Sequence, residues 1–192
     1  MKAKSGLVQK FMSELDKLGA TGKLFGTHTE VIKYIEKLVI ERKAKLVLMS
    51  GLDQELSSEL SRTIASAGAS CFDVKDFDGH ELRKLLEKTD IGITDADLAV
   101  AETGSLVLTT RNDAERLLSC LPPIHVAILT KGGIVDNFLE LAEWFKKMQD
   151  TGTHTVSVIT GPSRTADIEL EIVVGVHGPH ELHVIVLEEG AG

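Results

Sequence analysis

Three features of this chain predict an α/β fold layered around a mostly parallel central sheet. Amphipathic helical stripes alternate with short apolar runs, and the breaks between them are carried by Gly, Asp and Pro. Aromatic residues make up only 4% of the chain, so the core is aliphatic. Alternation of this kind calls for parallel strands with helices on both faces. At 192 residues the chain fits one domain, 1–192, that can close a core without disulfides or metal. Residues 1–90 read as its helix-rich part and residues 91–187 carry its motifs.

The elements follow in order. Leu7, Val8, Phe11, Met12, Leu15 and Leu18 form a helical stripe closed by Gly19. Thr27 and Glu30 have capping-box spacing, and Val31, Ile32, Ile35, Leu38 and Val39 continue at helical period into the strand Leu46 to Met49. Asp53 caps a third helix carrying Leu56, Leu60 and Ile64, which Gly68 ends before a short strand around Cys71 to Val74. Asp78 and Glu81 open a fourth helix through Leu82, Leu85 and Leu86. Gly51 and Gly68 read as turn residues.

From Ile91 the texture changes. Gly92 to Asp97 reads as a polar turn, and Leu98 to Ala101 and Leu106 to Leu108 as a hairpin or one kinked strand bent at Gly104, with Glu102 at the bend and the turn and charges of Thr110 to Arg116 behind. Ile124 to Leu129 is a strand holding His125 in its apolar run, where a core or edge histidine is the expected reading. Gly132 and Gly133 lead to a helix with Leu139, Ala142, Phe145 and Met148, on which Trp144 and Phe145 are packing residues. Lys131-Gly132-Gly133 suits a phosphate cradle or a flexible connection equally. Val156 to Thr160 reads as a buried strand, and Leu182 to Leu187 as the last one.

Composition narrows the function. A net charge of -8 argues against a nucleic-acid or anionic-membrane surface, and no apolar run approaches membrane-spanning length. Cys71 and Cys120 stand alone, which excludes a zinc ribbon or iron-sulfur ligand set. A reduced cytoplasmic location is expected, since the amino terminus leads into an amphipathic pattern rather than a secretory segment. There is no G-x-G-x-x-G, no Walker loop and no H-E-x-x-H.

The chemistry concentrates at Gly161-Pro162-Ser163-Arg164-Thr165-Ala166-Asp167. Gly161-Pro162 stops a strand, which places Ser163, Arg164 and Thr165 beyond its carboxyl end, where α/β folds bind ligands. Ser163 suits the cap of a short helical turn, Arg164 a carboxylate or phosphate, and free backbone N–H groups add partial positive charge. The same spacing lets Arg164 pair with Asp167 as plain scaffold. Expected ligand-binding residues are Thr103, Gly104, Gly161, Ser163, Arg164, Thr165 and Asp167. Glu102 and His177 are the catalytic candidates: a carboxylate at a bend and an imidazole between Gly and Pro breaks. Spacing alone favours an exposed turn glutamate for Glu102. His177, His180 and His183 are three apart, but Pro179 and the strand at His183 argue against one metal site, and none is expected.

Taken together, Gly92-Ile93-Thr94-Asp95-Ala96-Asp97, Ala101-Glu102-Thr103-Gly104-Ser105, Leu121-Pro122-Pro123-Ile124-His125, Gly161 to Glu169 and Gly175 to His183 resemble the LUD domain family over about residues 90–187. The resemblance implies a fold similar to the sugar-phosphate isomerase and CoA-transferase-like superfamily (NagB/RpiA type). It also implies membership of a three-protein bacterial system that oxidises L-lactate to pyruvate. This chain would be its cluster-free subunit, with no cofactor of its own, iron-sulfur clusters on partner subunits and a small anionic metabolite as ligand. Self-association into a homo-oligomer is left open. The rival readings are a stand-alone isomerase or acyl/CoA-transferase-type enzyme on a phosphorylated or CoA-linked metabolite, and a purely structural partner. Glu102-Thr103-Gly104 has Thr where CoA transferases carry Asn beside their thioester-forming glutamate, so that activity rests on fold analogy alone.

Overall fold

A computed structural model describes residues 2–110, 112–148, 155–166, 172–174 and 178–188. The first helix, α1 (Lys2–Lys17), ends before Gly19, whose φ of 74° turns the chain into β1 (Thr21–Phe25). Helix α2 (His28–Arg42) starts at the predicted capping box, with Thr27 accepting from the Glu30 amide and Glu30 accepting from the Thr27 amide. Strand β2 (Leu46–Ser50) leads to α3 (Gln54–Ser66), capped by Asp53, and on to β3 (Ser70–Asp73). A single 3-10 turn and α4 (Gly79–Leu86) follow.

Next come β4 (Ile91–Asp95), β5 (Leu98–Val100), β6 (Ser105–Thr110), α5 (Asp113–Leu118), β7 (Ile124–Thr130), β8 (Ile134–Val135), α6 (Phe138–Met148), β9 (Thr155–Thr160), β10 (Arg164–Ala166), β11 (Ile172–Val174) and β12 (Glu181–Leu187).

The central sheet has six parallel strands in the order β1-β12-β7-β4-β2-β3. One face, built by Val47, Met49, Ile91, Ile93, Val126, Ile128 and Ile185, is covered by α2 and α3. The other carries Ala127, Leu129, Leu182, Val184 and Val186 against α1 and a second sheet, with α4 and α5 over Leu48. That second sheet runs β8-β5-β6-β9. Its inward Ala99 and Ala101 let the two sheets approach closely, while Leu98, Val100 and Val107 point outward to α6 and its Leu141.

Four expectations are corrected. Gly92 to Asp97 is no polar turn: Ile91 to Asp95 is a central strand with Ile91 and Ile93 fully buried. Gly92 in it is forced, because a Cβ there would press on the Leu118 carbonyl and the Pro122 ring of the covering α5 segment. Thr110 to Arg116 contains the start of α5, whose cap is Asn112 accepting from the Glu115 amide. Arg164 to Ala166 is extended and pairs with β11, so Ser163 caps no helical turn. Strand β9 is half-exposed rather than buried, since it forms an edge of the second sheet. Strand β1 has no apolar alternation to announce it; parallel pairing with β12 makes it a strand.

Candidate functional site

The structure separates the candidate residues into two regions at opposite ends of the central sheet. The first lies at its amino ends. The β5–β6 hairpin bends at Gly104 (φ 66°), and β6 pairs with β9 so that Ser105 stands opposite Thr160. The Ser105 hydroxyl, almost fully buried, is shared with Thr103 Oγ1 and Thr160 Oγ1, each at 2.7 Å. Gly161 (φ 80°) follows at once. Both glycines face α1: a Cβ at Gly104 would lie 3.0 Å from Leu18 Cδ1, and one at Gly161 3.1 Å from Leu18 Cβ. Ser163 donates its backbone N–H to the Pro179 carbonyl (2.9 Å), and Gly178 leaves room for the Ser163 side chain.

Leu18, Pro123 and Pro179 lie one to three residues before the starts of β1, β7 and β12. Thr103, Gly104, Gly161 and Ser163 are therefore brought together, but at the end opposite the one expected. The strand they follow, β9, belongs to the second sheet, so its carboxyl end is not that of the parallel sheet. Arg164 and Thr165 continue this region as β10, whereas Asp167 and His177 lie outside the described residues. Glu102 is exposed at the bend, its N–H donating to the Asp136 carbonyl, beside the Lys10 ammonium that Asp136 holds at 2.7 Å.

The second region is a cleft of about 420 Å³ at the carboxyl ends of β2, β3 and β4. After β2 the chain crosses to β3 through α3 on one face; after β4 it leaves toward β5 on the other. The crevice between β2 and β4 is thus a topological switch point, the position where open α/β sheets bind ligands. Its floor is Ser50 and Thr94, which are register partners with 7% and 4% exposure. Gly51 (φ 80°) closes over Asp95, and a Cβ there would fall on the Asp95 carboxylate. Asp97 Oδ2 accepts from the Thr109 N–H (2.7 Å) and hydroxyl (2.9 Å). Asp73 accepts from the Lys75 amide and holds its ammonium at 2.8 Å.

Behind the floor, His125 is fully buried, with Nε2 3.0 Å from Thr94 Oγ1. Burial pushes its pKa down to about 4, so the ring is neutral. Its Nδ1 is buried with no hydrogen-bond partner among the described residues. Gly92 to Asp97 and Leu121 to His125, two of the motifs that carry the family resemblance, supply Thr94, Asp95, Asp97 and His125 here, but neither motif announces a cleft. Gly51 looks like any turn glycine and Asp95 like a loop aspartate until β2 and β4 are known to be neighbours.

The remaining reactive side chains are structural. Burial raises the Cys71 thiol to about 11, which keeps it protonated and inert. His183 places Nδ1 2.7 Å from the Tyr34 hydroxyl and Nε2 3.1 Å from Glu181, itself fixed by Arg42 at 2.9 Å. His180 is exposed in the preceding turn, and no group of His, Cys, Asp and Glu among the described residues is arranged to hold a metal ion.

Comparison with known proteins places this architecture. A sequence model of the LUD domain matches residues 8–187, so the likeness extends well before residue 90. A Macrococcus caseolyticus protein named lactate utilization protein C is 38% identical over 114 residues, 58% of this chain and 49% of that protein. The Oceanobacillus iheyensis protein of the same name is 30% identical over 177 residues, covering 84% of this chain and 72% of that one. The match to the first thus spans about half its length. The crystal structure of a DUF162 family protein from Deinococcus radiodurans superposes with a TM-score of 0.70, covering 96% of this chain and 98% of that one at 22% identity, and shows the same fold.

Proposed function

The chain belongs to the LUD domain family, and on that premise we propose that it serves lactate utilization as the cluster-free subunit of a system that oxidises L-lactate to pyruvate. The observation that carries this reading is the shared name of relatives 30% to 38% identical to it, lactate utilization protein C. In this reading the electrons pass through iron-sulfur clusters on partner subunits. The chain binds a small anionic metabolite at the Gly161 to Thr165 block, with Arg164 as the charged donor and Thr103 and Gly104 alongside. The hydroxyl run Thr103, Ser105 and Thr160 beside Gly161 supports such a site, because two bonds among three hydroxyls leave one O–H to donate to a carboxylate. A strain deleted for this chain should lose growth on L-lactate and regain it with the wild-type chain but not with Arg164→Ala; undiminished growth of the deletion strain overturns the reading.

A second reading, a stand-alone isomerase or acyl-transferase-type enzyme, draws on the cleft at the switch point. There the acid-base group is Asp97 rather than Glu102, since Asp97 lines the cleft and Glu102 sits at the bend on β5–β6. Turnover by the purified chain alone that survives Glu102→Gln and fails in Asp97→Asn would favour it.

A further inference from the structure

We propose that the outer edge of β9 is a self-association surface, on which a second copy of this chain pairs its own β9 antiparallel about a two-fold axis. An edge strand presents a row of unpaired N–H and C=O groups, and proteins guard such edges with charge, Pro, bulges or shortness. Three edges of the two main sheets are guarded in that way. β1 carries the exposed Lys23, β3 has four residues and ends in Asp73, and β8 has only two residues.

β9 has no such guard. Its six residues, Thr155-Val156-Ser157-Val158-Ile159-Thr160, include no charge, no Pro and no Gly, and all but Ser157 are β-branched. Among the described residues its hydrogen bonds go to β6, which leaves the opposite edge open. Alternation turns Val156 and Val158 to the face that α6 covers. Val156 packs with Trp144 and Phe145 into the cluster around Leu141 and Val107, but Val158 stands 48% exposed.

The occupant follows from charge and symmetry. The chain carries a net charge of -8, so two copies repel wherever charged surfaces face each other, and an uncharged strand is where they meet at least cost. A two-fold axis perpendicular to the sheet makes the contact isologous and keeps α6 of both copies on the same face. With the axis at Val158, that residue faces its own copy, Val156 faces Thr160 and Ser157 faces Ile159. These cross-strand pairs join β-branched and small side chains and oppose no like charges. This register covers the exposed Val158 and continues the sheet β8-β5-β6-β9 into its copy. One strand pair is a small interface, so the association is weak and reversible.

The test is sedimentation equilibrium of the full chain from about 10 μM to about 1 mM, the range of weak dimers. A reversible monomer–dimer curve is expected. Val158→Lys sets two ammonium groups against each other on the axis and should weaken the dimer about fivefold or more, while keeping the monomer's circular dichroism. Leu24→Lys, on the exposed edge strand β1, should leave the curve unchanged. In the wild-type chain, hydrogen exchange at the β9 amides should slow as concentration rises. A monomer throughout, growth past the dimer, equal weakening by both variants, wild-type association in Val158→Lys, or β9 exchange that ignores concentration each overturns the proposal.

Discussion

At the amino ends of β1, β7 and β12 loops are packed onto loops: Gly104 and Gly161 press on Leu18, Ser163 hangs from Pro179, and Ser105 is shared between Thr103 and Thr160. At the carboxyl ends of β2 and β4 the chain parts toward opposite faces and leaves an open cleft with hydroxyls on its floor. The amino-end region is contiguous in sequence and rich in Gly, Pro and Ser, so it stands out in the chain. The cleft is assembled from five stretches of chain, each contributing one to three residues. Motif density marks where the backbone is constrained, and constraint is stored as readily in a packed junction as in a binding site.

Substitutions at the two ends test this contrast. Gly51→Val forces a β-branched residue to positive φ and onto the Asp95 carboxylate, and should cost about 2 to 4 kcal/mol in urea unfolding. Gly104→Ala, at positive φ and about 3 Å from Leu18 Cδ1 and the Glu14 backbone with no carboxylate in the way, should cost about 1 to 2 kcal/mol. Equal losses at the two glycines would erase the distinction.

Acid sharpens it next. His125 has a folded pKa lowered from 6.5 to about 4, so its neutral form contributes fully above pH 6.5. That contribution is lost as pH falls toward 4, because the unfolded chain takes up the proton first, for a total of roughly 3 kcal/mol. Burial lowers His183 too, in the same direction. His125→Leu should flatten most of the slope of unfolding free energy between pH 6.5 and 4; an unchanged slope would place the titration elsewhere.

Smaller effects follow at the junction. Ser105→Ala removes a buried hydroxyl with two partners and should destabilise by about 1 to 2 kcal/mol, read as a lower denaturation midpoint. Arg42→Ala breaks an exposed pair with Glu181 and should cost less than about 1 kcal/mol, and less still at high salt.

Much of the scaffold was legible in the chain. The Thr27–Glu30 box, the Asp53 cap, the Gly68 stop and the bend at Gly104 are local signals, and local chemistry builds them. What escaped depends on distant partners. Strand β4 looked like a turn because Gly92 and Asp95 are poor strand formers, yet β2 and β7 flank it and α5 covers it. Strand β10 looked like a helical turn because Ser163 resembles a cap, but pairing with β11 holds Arg164 to Ala166 extended. The Thr94–His125 pair joins residues 31 apart in sequence, and only the strand order puts them within hydrogen-bond reach.

The most direct measurement is an amide-resolved NMR titration of the uniformly labelled chain with L-lactate. Saturable shifts at Gly161 and Ser163, with Ser50, Gly51 and Thr94 unmoved, are the predicted result; shifts confined to Ser50, Gly51 and Thr94, or none at any of these amides, would contradict it.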